Sequence, residues 1–241
     1  MPLTRARFFE GFERMGPGSD TVSRALAHWA NAALAERVLE VGCGHGATAR
    51  VLAASGAREM IACDVSPVCT GVTHAALAGG TASVCAADIR ALPFAPASFD
   101  AVVAEGCLYT VGLRHGVAAL APLVRSGGRL VFTHFGWTRT RVPGPMREFW
   151  EGGLPEKFVR AEAYMVMLEH AGFRGVHLEP FPRKEWESYY DRVRARLADL
   201  EPAHTDDESL AVLDGFRREI HAFEDGGMNF YAYFLIVAEK L

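Results

Sequence analysis

Val38-Leu39-Glu40-Val41-Gly42-Cys43-Gly44-His45-Gly46 is the stretch on which the reading of this 241-residue chain turns. A short apolar run ends in a turn with glycine at every second position, and alanine-rich sequence follows from Ala47 to Ala54. Together these predict a buried parallel strand, a tight turn and a helix start. Glycine permits the sharp turn and lets a ligand come close to the main chain. The amino end of the helix offers unpaired N–H groups to a polar ligand. A purely structural strand-to-helix turn gives the same local pattern, so its meaning rests on what lies downstream.

Further segments follow in order. Met60-Ile61-Ala62-Cys63 reads as a second strand, closed by Asp64. An acidic residue about 20 residues beyond such a turn suits a ribose diol, two acceptor oxygens meeting two adjacent donors. The other reading is a loop carboxylate or a helix cap before Ser66-Pro67. Ser83-Val84-Cys85-Ala86-Ala87-Asp88-Ile89 and Leu92-Pro93-Phe94 come next. Ser98 to Ala104 reads as a fourth strand, with Glu105-Gly106 at its carboxyl end, where open α/β sheets bind ligands. Gly127-Gly128 precedes a fifth strand, Arg129 to His134. A dinucleotide turn reads G-x-G-x-x-G, so the G-x-G-x-G spacing speaks against a nicotinamide oxidoreductase.

This succession resembles the motifs of class I S-adenosylmethionine-dependent methyltransferases, with Glu40 two residues before the first glycine of Gly42-x-Gly44-x-Gly46. Gly16-Pro17-Gly18-Ser19, Glu105-Gly106 with Tyr109 and Gly112, Phe149-Trp150, His170-Ala171-Gly172-Phe173, Trp186 with Tyr189-Tyr190 and a tyrosine-rich last strand extend the likeness over nearly the whole chain. They resemble small bacterial methyltransferases whose core is of the ubiquinone/menaquinone-biosynthesis type (methyltransferase type 11-like). The resemblance implies an α/β, Rossmann-like, doubly wound seven-stranded sheet, mostly parallel with the last strand antiparallel, to which this chain adds helical lid insertions. It implies S-adenosylmethionine as cofactor and S-adenosylhomocysteine as product. No metal is expected, since the nine histidines show no H-x-x-x-H or His/Asp cluster spacing. Glu40, Gly42, Cys43, Gly44 and Gly46 are then expected at the methionine end, with turn amides facing its carboxylate. Asp64 is expected at the ribose, the Asp88 carboxylate and Ile89 amide at the adenine, and Val65 is a further expected cofactor contact. Glu105 faces either the methionine part or the acceptor, and both remain open.

Composition bounds the rest. Half the residues are hydrophobic and the net charge is −4, which supplies a core and no field for a polyanion. Nucleic acid is therefore not expected as a partner. Five cysteines without C-x-x-C spacing fit a reducing interior. The start, Met1-Pro2-Leu3-Thr4-Arg5, has no apolar leader, and no run approaches 18 apolar residues, so a cytoplasmic protein without membrane contact is expected. One domain over 1–241 is expected, as monomer or homodimer: a helical lead-in at 1–36, a cofactor-binding core at 37–136, and lid insertions at 137–160 and 181–228. Leu210, Leu213, Phe216, Ile220 and Phe223 form an apolar stripe in the second insertion.

Methyl transfer needs alignment and exclusion of water more than covalent help. A base is needed only where the acceptor, a small molecule, starts protonated. Glu105, Tyr109 and His134 are the catalytic candidates; Tyr109 and His134 have packing alternatives, and His115 and Tyr189 are further acceptor-side residues. Trp137, Trp150 and Trp186 either stack on an acceptor or pack the insertions. Two other functions share the fold: a cofactor-binding cyclase or lyase, and a non-catalytic binding module.

Overall fold

The structure, a computed structural model, describes residues 2–241. Its strands are β1 (Arg37–Val41), β2 (Glu59–Asp64), β3 (Ser83–Ala86), β4 (Phe99–Ala104), β5 (Val124–Trp137), β6 (Phe173–Pro180) and β7 (Tyr231–Lys240). They form a seven-stranded sheet in the order β3-β2-β1-β4-β5-β7-β6. The first five neighbours run parallel, whereas β7 runs antiparallel to both β5 and β6. The order reverses at β1, which puts a crevice beyond the carboxyl ends of β1 and β4.

Alternation along the strands explains the two-sided core. Leu39, Val102, Leu130 and Phe132 pack on one face, and Val38, Ala101, Val103 and Val131 on the other. Helices α1 (Arg5–Phe8) and α2 (Asp20–Trp29) come first, then α3 (Ala47–Ala54), α4 (Pro67–Ala76), α5 (Leu113–Leu120), α6 (Gly144–Glu151), α7 (Ala161–His170), α8 (Arg183–Leu200) and α9 (Asp207–Glu224). Leu26 of α2 and Leu52 of α3 cover one face, while Val117 of α5 and Leu168 of α7 cover the other. This is the doubly wound α/β arrangement that the motif order implies.

The structure differs from the sequence reading at the fifth strand, which runs to Trp137 because Phe135, Gly136 and Trp137 continue the ladder with Tyr233, Ala232 and Tyr231 of β7. In the lead-in, α1 ends at Phe8 and the chain bends through Gly11 at φ +79°. Ser19 stands at the amino end of α2 without a side-chain capping bond.

The two insertions and the lead-in share a third, aromatic core over the outer end of β5 and β7. Trp186, Tyr189 and Tyr190 of α8 meet Phe216 and Phe223 of α9, Trp137 of β5 and Tyr231 of β7 there. Phe8 stacks on Phe216 with ring centroids 3.8 Å apart, so the start of the chain is docked on the lid. Among the described residues, no helix is long and apolar enough to cross a membrane.

Candidate active site

The β1–α3 turn is held by its own main chain. The amides of Gly42 and Cys43 donate to the Cys63 carbonyl at 2.8 and 3.0 Å, and the Gly46 amide donates to the Cys43 carbonyl at 2.9 Å. The Gly44 amide donates to Asp64 Oδ2 at 3.0 Å. Thr73 of α4 donates its hydroxyl to the Gly44 carbonyl at 2.8 Å. Gly42 has φ +72°, and a Cβ there would run into the Cys107 side chain, 2.7 Å from Sγ. A larger residue would have to displace that neighbour as well as adopt a left-handed backbone.

These bonds correct one detail of the expected cradle. The amides of Gly42, Cys43 and Gly44 are bonded to Cys63 and Asp64 of β2, and that of Gly46 to the turn itself. Helix geometry leaves instead the first-turn amides of α3 to meet an anionic group.

The turn opens into a cavity of about 430 Å³. Glu40, Gly42, Cys43, Gly44, Asp64, Glu105 and Tyr109 all line it. Asp64 closes β2, and its Oδ1 accepts from the Ser66 amide at 2.9 Å. Each carboxylate oxygen has a second lone pair, so both retain capacity for a ligand hydroxyl.

Two buried carboxyls converge on the cavity. Glu40 on β1 is 1% exposed, and its Oε2 has no hydrogen-bond partner among the described residues. Burial holds its pKa well above the usual carboxylate range, and the neighbouring Glu105 and Asp64 charges push the same way. Glu105, just past β4, is also raised by burial, against the opposing pull of Arg14 and the Thr48 hydroxyl. Arg14 Nη1 lies 3.4 Å from both Glu105 oxygens, and Thr48 donates to Oε2. Arg14 Nη2 donates to Asp20 at 3.0 Å and to Ser23 Oγ at 2.8 Å. Two inward carboxyls, of which only Glu105 is bonded to an arginine among the described residues, leave the Glu40 carboxyl free to meet a cationic or donor group.

Arg14 escaped the sequence reading, because its partner is 91 residues away. It belongs to a strap that crosses the turn. Met15, Gly16 and Pro17 line the cavity, and His45 Nδ1 bonds the Phe12 carbonyl at 2.6 Å. The Gly16-Pro17-Gly18 break thus borders the cavity, with Gly16 and Pro17 in its lining.

Beyond the turn the walls are aromatic. Phe135, Trp150, Phe158, Trp186, Tyr189 and Tyr233 line the cavity, with Thr133 and Leu154 between them. The structure brings Trp150 and Trp186 to this chamber but not Trp137, which is 1% exposed and donates Nε1 to Glu151 at 2.8 Å. His115 is exposed on α5 and lies outside the lining.

His134 is a correction. Thr133 and Phe135 reach the cavity, so the residue between them on β5 points to the other sheet face. There its Nδ1 meets the Phe135 carbonyl at 2.7 Å and the Tyr164 hydroxyl at 3.2 Å. Burial pushes its pKa down to about 4. A neutral ring in the core is not placed to touch an acceptor in this chamber. Val65, Asp88 and Ile89 are also absent from the lining. Val65 is 65% exposed, and Asp88 pairs with Arg90 at 2.5 Å, which holds its carboxyl at a pKa of about 2. They flank the sheet edge beside Asp64, whose carbonyl accepts from the Ala87 amide at 3.0 Å.

The doubly wound sheet sets this cavity at its topological switch point, and comparison with known proteins adds to that reading. Residues 38–128 match the methyltransferase-domain family. A demethylmenaquinone methyltransferase of Clavibacter sepedonicus is 36% identical over 121 residues, 49% of each chain. The chain thus spans about half the length of that curated relative. The crystal structure of an S-adenosylmethionine-dependent methyltransferase from Thiobacillus denitrificans, in complex with S-adenosylhomocysteine, superposes with a TM-score of 0.81 at 14% identity over 100% of both chains. The [4+2]-cyclase SpnF superposes with a TM-score of 0.75 at 22% identity, covering 92% of this chain and 81% of the other. Residues 38–128 thus match a methyltransferase domain, and the chain is similar to demethylmenaquinone methyltransferases. The chain as a whole shares its fold with the S-adenosylmethionine-dependent methyltransferase from Thiobacillus denitrificans. Among the described residues, no group of three or more His, Cys, Asp or Glu side chains is placed to hold a metal ion.

Proposed function

We propose that the chain binds S-adenosylmethionine across the β1–α3 turn and directs its methyl group to a small-molecule acceptor in the aromatic chamber. The observation that carries this reading is the convergence of Glu40 and Glu105, two buried carboxyls of which only Glu105 is bonded to Arg14, on a cavity floored by the glycine turn. A cofactor with an ammonium and a sulfonium supplies the cations that such a pair lacks. When bound, it supplies an electrophilic methyl whose leaving group is a neutral thioether.

In this reading Glu40 orients the methionine ammonium, and Gly42, Cys43, Gly44 and Gly46 shape the floor beneath it. The first-turn amides of α3 meet the methionine carboxylate. Asp64 accepts from the ribose hydroxyls, with Val65 beside it, and Asp88 and Ile89 serve the adenine at the open sheet edge. Glu105 sits between the cofactor end and the chamber, where it faces either the methionine part or the acceptor. Tyr109 offers a hydroxyl to the acceptor. The strap and both insertions exclude water, which raises the worth of every polar contact inside. We place the protein in the cytoplasm, as one domain over 1–241, acting as monomer or homodimer on a small molecule rather than on nucleic acid. The net charge of −4 and the roofed cavity support the last point.

Calorimetric titration with S-adenosylmethionine and S-adenosylhomocysteine tests the reading. Binding of both in the micromolar range is expected; binding of neither to folded protein overturns it. A second reading, a cyclase or lyase using the same cofactor pocket, is favoured only by the fold shared with SpnF. Turnover that yields S-adenosylhomocysteine together with a methylated acceptor excludes it.

A further inference from the structure

One residue of the α9 stripe is not explained by apolar packing. Leu213, Phe216, Ile220 and Phe223 are buried. Glu219 lies three residues after Phe216 and four before Phe223, so it shares their face. Its side chain is only 15% exposed and lines the cavity. Burial raises its pKa, while Arg5 and the Tyr189 and Tyr190 hydroxyls pull the other way. Tyr190 donates to Oε1 at 3.3 Å. The Arg5 guanidinium stands 3.6 Å from Oε2, itself largely exposed and laid over the Phe216 ring at 4.6 Å.

For holding the lid together this is a poor arrangement. An ion pair with an exposed partner contributes little, and a leucine on this face would pack without losing hydration. A carboxylate has about four acceptor sites, and these partners do not fill the side turned to the cavity. The same cavity is walled by Phe135, Trp150, Phe158, Trp186 and Tyr233, which favour an apolar, flat body. Trp186 is 2% exposed, and its indole N–H has no partner among the described residues.

We infer that Glu219 is a specificity-determining residue of the acceptor chamber, accepting a hydrogen bond from a hydroxyl or amine on an acceptor whose body is apolar. The inference rests on the methyltransferase reading above and adds the chemical class of the acceptor. It assigns the lid, rather than the sheet, the task of choosing the substrate.

The test uses whole protein saturated with S-adenosylhomocysteine, titrated with 4-propylphenol, 3-phenylpropylamine and propylbenzene. Binding is followed by tryptophan fluorescence, since Trp150 and Trp186 stand in the chamber wall. The phenol or the amine should bind at least about ten-fold more tightly than propylbenzene, the loss expected for a missing hydrogen bond to a charged group. The two arms separate a hydroxyl from an amine. Glu219→Leu should erase that preference while affinity for S-adenosylhomocysteine stays within about two-fold, far below the ten-fold of a lost charged hydrogen bond. If Glu219→Leu fails to fold, Glu219→Gln, which keeps the shape, should still reduce the preference several-fold. Equal binding of all three probes, binding of none at millimolar concentration, or an undiminished preference in a folded variant would overturn the inference. Failure of wild-type protein to bind S-adenosylhomocysteine removes the methyltransferase reading first, and this inference falls with it.

Discussion

The two ends of the cavity are built on different principles. At the glycine turn the walls are main chain, and the few side chains that matter (Glu40, Asp64 and Glu105) stand at the ends of adjacent parallel strands. Their positions follow from strand register, which pairs Glu40 with Ala62 and Val103, so local sequence determines the geometry. At the other end the walls are side chains from the lead-in, the α6–α7 region, α8 and α9, brought by tertiary packing against Thr133, Phe135 and Tyr233 of β5 and β7. A common cofactor can be met by a repeated backbone device. An individual acceptor needs surfaces that vary, and the insertions supply them without disturbing the sheet.

The largest effect that tests this division should come from the lid core. Phe216→Ala removes a ring that is 1% exposed and stacks on Phe8. A loss of about 3–5 kcal/mol is expected, from lost burial plus the cavity left behind. Denaturant midpoints would measure it. Affinity for S-adenosylhomocysteine should fall only a few-fold, well short of the stability loss, because the turn is held by bonds to Cys63 and Asp64 that the lid does not touch. Complete loss of binding by protein that is still folded would mean the two ends are one cooperative unit.

The next effect concerns the sheet beneath both ends. His134 has its pKa lowered to about 4 by burial, against about 6.5 in an unfolded chain. Between those values the unfolded state binds the extra proton, so stability rises with pH across that window and is lost as pH falls from about 6.5 towards 4. The loss attributable to this one group is on the order of 3 kcal/mol over the full window. His134→Gln should flatten that part of the stability–pH curve, measured by denaturant midpoints at several pH values. An unchanged slope would show that His134 is not held neutral, and would reopen its place among the catalytic candidates.

What the sequence reveals divides in the same way. The order of strands, the glycine turn and the acidic residues at strand ends are legible because each is a short local pattern tied to one backbone geometry. The extra turn of β5 was not, since Phe135-Gly136-Trp137 is extended only by virtue of pairing with Tyr231 to Tyr233. Arg14 and Arg5 were invisible for a deeper reason: their partners, Glu105 and Glu219, are distant in the chain, and nothing in a local window marks the pairing. Glu219 did leave a trace, as a charge inside the Phe216–Phe223 stripe. His134 misled because a strand end at the ligand edge fixes the residue's height in the sheet but not which face it takes.

The smallest effect sharpens the comparison within the cofactor end itself. Asp64 and Asp88 both close a strand edge, yet only Asp64 lines the cavity, while Asp88 is engaged by Arg90 through four contacts to its side chain, the amide to Oδ1, Nε to both oxygens and Nη2 to Oδ2. Removing Asp64 deletes a charge-assisted bond to the turn and, under the proposed function, the bonds to a bound ribose. Asp64→Ala should therefore weaken S-adenosylhomocysteine binding by about 1.5–3 kcal/mol, roughly 10- to 100-fold. Asp88→Ala should cost less, several-fold, because its carboxylate must loosen from Arg90 before it can accept from an adenine amine, which offsets part of what the contact contributes. Calorimetry on both variants decides the order. A larger loss at Asp88 would place the weight of nucleoside recognition on the exposed sheet edge rather than on the residue that also braces the glycine turn.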